Sequence, residues 1–181
     1  MQPRNYLNLP LGDKAPDEIN VVVEIPEGSR NKYEYDKNLD IFRLDRALHS
    51  PVVYPGDYGF IPSTLGEDGD PLDVIILVSQ PTFPGCLVLA RPIGVLKMID
   101  QGEGDDKVLA VPIGEPSYSG IFEHTQIFAH TLREIAHFFE TYKLLEDKQT
   151  ESLGWQDAAT AKHLIGLAVK RFNDQRDTAR S

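Results

Sequence analysis

The sequence predicts an α+β domain that is mainly β, a small β-barrel with two helices packed against it. Short β-branched or alternating segments fill the first two thirds of the chain, separated by Gly, Pro, Asn and Asp, which is typical of a closed barrel. The last third has apolar residues at helical spacing. Since the 181 residues contain no repeat or low-complexity linker, we expect a single domain over 1–181. The barrel is predicted at roughly 19–113 and the helices at roughly 131–147 and 157–174.

Each predicted strand has its own signal. The β-branched "INVVVEI" ends at Pro26, and the alternating "KYEYD" and "IFRLDR" predict a hairpin. "PLDVIILV" is typical of a buried strand, and "KVLAVPI" follows a polar turn. The long segment "CLVLARPIGVLKMI" contains Pro92 and Gly94, which predict a bend or bulge in its middle.

The helices are predicted from capping and periodicity. Thr131 and Glu134 match a T-x-x-E capping box, and a second helix is expected to begin near Asp157. Gly154 and Trp155 are placed in the connection between the helices. The segment "SYSGIFEHTQIF" is interpreted as a variable surface connection. In and after it, His124, His130 and His137 are expected to serve packing, the helix or subunit contacts and not to bind metal.

Composition excludes several classes of protein. The net charge of -10 and the pI of about 4.9 argue against binding nucleic acid or an anionic membrane surface. The only cysteine, Cys86, cannot form a disulfide within the chain, and we interpret it as a buried structural thiol. Because the N-terminus lacks a secretory signal and no apolar run could span a membrane, we expect a cytoplasmic protein.

Three aspartates crowd into one short stretch before the buried strand: Asp68, Asp70 and Asp73. Carboxylate oxygens are the ligands that hard cations prefer, yet a solvated Asp/Gly/Pro turn explains this stretch equally well. The EF-hand pattern fails because Leu72 and Asp73 occupy its fifth and sixth positions. Since strand residues alternate, Asp73 is expected on the same face as Ile75 and Leu77.

Other charged residues shift the balance towards phosphate chemistry. "MIDQGEGDDKV" contains a second group of acids, although alone it is more typical of a solvated turn. Isolated charges and tyrosines interrupt apolar strands and the first helix. The acids suit divalent cations, while the lysine, arginine and tyrosine side chains suit phosphate oxygens.

These segments resemble the family I soluble inorganic pyrophosphatases of bacterial type over nearly the whole chain. The signature D-x-D-P-x-D stands at 68–73, and around it, in the family's order, are "VVVEIPEGSRNKYEYD", "LDR", "YPGDYGFIPSTL", "RPIGVLKMID", "DDKVLAVP" and "IAHFFETYKLLE". The resemblance implies an OB-like closed barrel of about five strands, extra hairpin strands and two flanking α-helices. It also implies Mg²⁺-dependent hydrolysis of pyrophosphate to two orthophosphates.

The resemblance assigns roles by position. It implies metal ligands at Asp68, Asp73, Asp100 and Asp105, and a general base at Asp70. The phosphate-binding set would be Lys32, Arg46, Tyr58, Lys107, Tyr142 and Lys143, with Glu24, Glu34 and Tyr54 in support. In this mechanism a metal-bound hydroxide attacks one phosphorus in line. Mn²⁺ or Zn²⁺ are possible substitutes for Mg²⁺, and Ca²⁺ is expected to inhibit.

Departures and rival functions remain at this point. Gln101 follows Asp100 where many members carry a second acid, so the outermost metal is expected to bind more weakly. Three rival functions are a non-enzymatic acidic barrel that binds Ca²⁺ or a partner, a nucleic-acid-binding OB module, and a nucleotide pyrophosphatase or other phosphohydrolase. The third has no P-loop motif in this sequence. The partners implied are pyrophosphate and phosphate, with no nucleic acid and no membrane, and a homohexamer is favoured.

Overall fold

Strands from the first two thirds of the chain close into a ring. The computed structural model describes residues 5–178. Within this range five strands pair in the order β1–β4–β5–β8–β6, and β6 pairs back to β1. Their bounds are Ile19–Ile25 (β1), Asp57–Phe60 (β4), Asp73–Ile76 (β5), Leu87–Asp100 (β6) and Lys107–Pro112 (β8). The predicted mainly β architecture is confirmed.

Strand β6 is the organising element of the ring. It is 14 residues long and pairs with β1, β8, the two-residue β7 (Glu103–Gly104) and a later strand. Its register against β8 shifts between Pro92 and Gly94, as predicted from those residues. The neighbours within the ring are antiparallel except β5 and β8, which run parallel.

A separate hairpin stands beside the ring. Strands β2 (Asn31–Asp36) and β3 (Ile41–Ala47) pair antiparallel, which confirms the predicted hairpin. The pairing places Lys32 opposite Arg46 and Glu34 opposite Arg43. The first pair brings two positive charges together and the second pairs opposite charges. The carboxylates of Glu34 and Asp45 lie beside Lys32 and offset the repulsion.

Gly154 and Trp155 lie between the helices, as predicted, but the connection contains a strand that was not predicted, because Thr150–Asp157 forms β9 against β6. A register shift between Lys97 and Met98 accompanies Gly154, which has a φ of +95° that favours glycine. Trp155 lies within this strand, opposite Leu96. The sequence of β9 lacks strict alternation, so its pairing depends on the open edge of β6.

The helices differ from their predicted bounds. Helix α1 spans Ala129–Thr141 and has Phe128 at its N-cap without a side-chain bond, so the predicted capping box is wrong and Thr131 lies inside the helix. A 3₁₀ turn follows at Leu144–Glu146, and Asp147 is left-handed with a φ of 56°, which ends the helix before 147.

Helix α2 spans Ala158–Thr178. The Asp157 carboxylate accepts bonds from the backbone N–H of Thr160, at 2.8 Å, and from its hydroxyl, at 2.7 Å, which explains the predicted start. The segment predicted as a surface connection contains a capping box at Glu123 and Gln126, and Glu123 also accepts a 3.0 Å bond from Ala158 N–H. Neither helix within 5–178 combines the length and apolar character needed to cross a bilayer.

Alternate residues of the strands build two apolar clusters. Ile75 and Leu77 pack with α1 in one cluster, whereas Val74 and Ile76 pack with α2 in the other. The cluster under α1 includes Phe138, which is buried. Asp73 begins the same strand, so its side chain lies at the edge of the α1 cluster, as predicted.

Candidate active site

One cavity of about 910 Å³ brings together most of the predicted residues. It lies between the hairpin, the aspartate-rich loop before β5 and the start of β8. All but two of the predicted side chains line it, namely Glu24, Lys32, Glu34, Tyr58, Asp68, Asp70, Asp73, Asp100, Asp105, Lys107, Tyr142 and Lys143. The two outside this lining are Arg46 and Tyr54.

The aspartate-rich loop is held by hydrogen bonds from its backbone N–H groups to side-chain oxygens. Gly69 has a φ of +88°, which favours glycine, and the Asp68 carboxylate accepts a 3.0 Å bond from Asp70 N–H. The hydroxyl of Thr64 accepts a 3.0 Å bond from Leu72 N–H below the loop. Partial burial, together with the charges of Asp68 and Asp73, raises the pKa of Asp70.

Lys107 lies between two predicted metal ligands. Parallel pairing of β5 with β8 puts Asp73 beside Lys107, whose ammonium donates to the carboxylates of Asp73 and Asp105. Burial alone would lower the pKa of this 2% exposed lysine, but the two carboxylates outweigh burial and raise the pKa. Burial also raises the pKa of Asp105. Lys107 is therefore a fixed cation at the centre of the site.

Across residues 5–178, no three carboxylate, imidazole or thiol groups stand close enough together to hold a metal ion. The ammonium of Lys107 neutralises the carboxylates of Asp73 and Asp105. The donors are nevertheless of the right chemical kind, since carboxylate oxygens line the cavity on the aspartate loop and on β6–β8. The Oδ1 atom of Asp100 is buried and has no hydrogen-bond partner among the described residues.

Glu24 is the most perturbed acid of the cavity. Burial raises the pKa of Glu24 to about 8, although its carboxylate accepts a 2.8 Å bond from Tyr35 N–H that favours the charged form. The charge of Asp73 raises the pKa further. A strongly perturbed acid in a cleft is typical of functional sites.

Tyrosines form the floor of the cavity. Tyr54 is 1% exposed and packs against Tyr58 with ring centroids 5.4 Å apart, so it supports the site from behind. Burial raises the pKa of Tyr58 and of Tyr142 well above the usual range. Both hydroxyls therefore stay protonated at neutral pH and can donate hydrogen bonds to an anion.

Acidic partners hold the remaining cations. Lys32 contacts Glu34 and lies 3.6 Å from Asp45, and Lys143 donates to the Oδ2 atom of Asp100 at 2.5 Å. Arg46 contacts Asp45 and pairs with Glu146 through two hydrogen bonds.

Sequence reasoning missed three charged residues around these cations. Arg43 lines the cavity, and the hairpin register opposite Glu34 was the signal that could have indicated it. Asp45 is next to Arg46 in the sequence, whereas Glu146 is 100 residues away from Arg46. No local pattern indicates the contact with Glu146.

Among residues 5–178, no histidine belongs to the lining of this cavity. His124 stacks on Trp155 with ring centroids 6.0 Å apart, and His130 pairs with Glu134 on the surface of α1. The expectation that histidines serve packing agrees with the position of His124.

Comparisons with known proteins show the family of the chain. The family model described as inorganic pyrophosphatase matches residues 21–173. The inorganic pyrophosphatase of Nostoc sp. is 52% identical over 87% of this chain and 93% of the relative, and that of Haloferax volcanii is 51% identical over 92% and 95%. The crystal structure of inorganic pyrophosphatase from Thermus thermophilus superposes with a TM-score of 0.91 at 44% identity, covering 93% of this chain and 99% of that one. The chain therefore belongs to the inorganic pyrophosphatase family.

Proposed function

We propose that this chain hydrolyses inorganic pyrophosphate to two orthophosphates and that the reaction requires Mg²⁺. The observation that carries the proposal is the cavity, which is lined by aspartates of the 68–73 loop and by Lys32, Lys107 and Lys143. A cavity lined by acids alone would suit a protein that only binds cations, but these lysines can also bind a phosphate anion. The names of the relatives support the same substrate.

The donor set suits a hard divalent cation, and family membership supports a metal requirement. Asp68, Asp73 and Asp105 would hold Mg²⁺ in competition with Lys107, and the unpartnered oxygen of Asp100 would serve a further ion. When bound there, Mg²⁺ would supply charge neutralisation and would lower the pKa of water, which is the nucleophile expected to attack one phosphorus in line.

Side chains of the protein would accept the proton and bind the phosphate groups. Asp70 would accept the proton of the attacking water, and its raised pKa favours this role. Lys107 and Lys143 would bind phosphate oxygens and stabilise the leaving phosphate, together with the hydroxyl of Tyr142. Tyr58 would donate a hydrogen bond from the floor of the cavity.

A phosphate-release assay tests the proposal. With Mg²⁺ we expect rapid release from pyrophosphate and little from ATP or a phosphate monoester, and chelation with EDTA should abolish the activity. Equal turnover of ATP would indicate another phosphohydrolase. Ca²⁺ binding without release from any substrate would indicate the non-enzymatic acidic barrel.

We further propose a cytoplasmic homohexamer. Exposed apolar side chains in and before β6, Phe83, Leu87 and Leu89, support self-association, since such a surface favours contact with another protein. Sedimentation velocity should give a mass about six times the 20.3 kDa of the chain. A single species at the monomer mass would contradict the assembly without affecting the proposed chemistry.

A further inference from the structure

We infer that Glu146 is a positioning residue for substrate binding, because its pair with Arg46 fixes the turn that follows Tyr142 and Lys143. The inference rests on the proposed function, since the groups positioned are those expected to bind phosphate. The Nε atom of Arg46 donates to Oε1 of Glu146 at 3.0 Å, and Nη2 donates to Oε2 at 2.7 Å. Two parallel bonds fix orientation as well as distance.

Burial distinguishes this ion pair from the surface pairs of the chain. The Glu146 side chain is 7% exposed and that of Arg46 is 24% exposed. In the pair of Arg171 with Glu67, by contrast, the glutamate side chain is 78% exposed. A buried carboxylate that loses its cation is left uncompensated, whereas an exposed pair contributes little. The Arg46–Glu146 pair can therefore fix the position of the 3₁₀ turn relative to the hairpin.

The turn between α1 and β9 is anchored on two sides of the cavity. The Glu146 N–H donates to Lys143 O at 2.9 Å inside the 3₁₀ turn, so the two side chains are held on one tight segment. Lys143 reaches Asp100 on β6, and Glu146 reaches Arg46 on β3. The segment consequently spans the ring and the hairpin.

Other ties between this segment and the end of β3 are long. Ser50 donates to Thr141 O at 3.4 Å, and the Nδ1 atom of His49 lies 3.5 Å from Leu145 O. Both distances are at the weak limit of hydrogen bonding. Of these three polar contacts within residues 5–178, the Glu146 pair is the strongest that joins the hairpin side to the segment after α1.

The opposite possibility is that Glu146 competes with phosphate for Arg46. Arg46 lies outside the cavity lining and is occupied by Asp45 and Glu146. A competing carboxylate would weaken substrate binding, so its removal would lower KM. If Glu146 instead positions the turn, its removal would raise KM. The direction of the change in KM therefore decides between competition and positioning.

Glu146→Gln tests the inference, because it removes the charge and keeps the shape. We expect kcat/KM for magnesium pyrophosphate to fall about 10-fold or more, mainly through KM. The Kd of magnesium imidodiphosphate, a non-hydrolysable analogue, should rise by a similar factor in calorimetry. Asp17→Asn, at the exposed pair with Lys162, is the matched control and should leave both quantities unchanged.

A double-mutant cycle separates positioning from general destabilisation. In an Arg46→Gln background, Glu146→Gln should change KM by less than about 2-fold, because the pair is already broken. Glu146→Asp, which keeps the charge, should give an intermediate loss and provides the test if the glutamine variant fails to fold.

An unchanged or lowered KM, or fully multiplicative effects of the two substitutions, would overturn the inference while the parent protein remains active. An inactive parent would overturn the proposed function as well, so the two failures are distinguishable.

Discussion

The two faces of the strand ring differ in what covers them. Under α2 the contacts are small or aliphatic, with Ala161, Ile165 and Ala168 packing on Val74 and Ile76. Under α1 the cluster is rich in aromatic side chains, namely Tyr54, Tyr58, Phe138, Phe139 and Tyr142. Burial stabilises both faces, but only the aromatic face has polar tips that reach the cavity. Substitutions next to the cavity should therefore change mainly activity, whereas substitutions under α2 should change mainly stability.

The largest effect is expected at Asp70, on the aspartate-rich loop that lines the cavity. Asp70→Asn should lower kcat by a factor of about 10²–10⁴, since an amide cannot accept the proton. Because Asp70 is exposed, Tm should change little. Steady-state phosphate release and a thermal melt measure both quantities, and normal turnover would exclude Asp70 as the base.

Asp73→Ala is expected to act on the metal requirement. It removes one carboxylate beside Lys107, so half-maximal activity should need at least about 10-fold more Mg²⁺. The matched control is Glu103→Gln, an exposed acid of the same cavity outside the proposed ligand set. A Mg²⁺ titration of both variants checks this, and an unchanged midpoint for Asp73→Ala would remove it from that set.

On the aliphatic face, Ile165→Ala should cost about 2–5 kcal/mol of unfolding free energy, because Ile165 is fully buried under α2. The kcat of the folded protein should stay near that of the parent. Leu167→Ala, at a 40% exposed position of the same helix, is the control and should cost far less. Urea unfolding at one protein concentration measures the difference, and a large fall in kcat for Ile165→Ala would contradict the separation of the faces.

Glu24→Gln should stabilise the protein while impairing activity. Since burial raises the pKa of Glu24 to about 8, the parent loses stability as pH rises from the unfolded value of 4.5 to about 8, and the loss then levels off. Glutamine avoids the loss and can still accept the bond from Tyr35 N–H. In EDTA at pH 8 we expect a gain of a few kcal/mol, at about 1.4 kcal/mol for each unit of pKa difference, and this gain disappears below pH 4.5. Melting curves across this range check the trend against Glu67→Gln, and a constant difference would contradict it.

Local patterns predicted the elements that carry the site. Alternation predicted the β2–β3 hairpin, and Pro92 with Gly94 predicted the bend of β6. The acids and cations around the D-x-D-P-x-D stretch were also identified, because charged residues inside apolar strands are conspicuous in a sequence. Strand β9 was missed, because its pairing depends on an edge of β6 that only the folded ring provides.

By itself, the sequence determined the mainly β ring, the two helices and the pool of charged side chains, because short-range periodicity and turn chemistry act within a few residues. Only the tertiary structure decided which charges meet. Parallel pairing of β5 with β8 puts Lys107 between Asp73 and Asp105, and the turn after α1 brings Glu146 to Arg46. These contacts follow from strand register and from packing across long sequence separations, which no local pattern encodes.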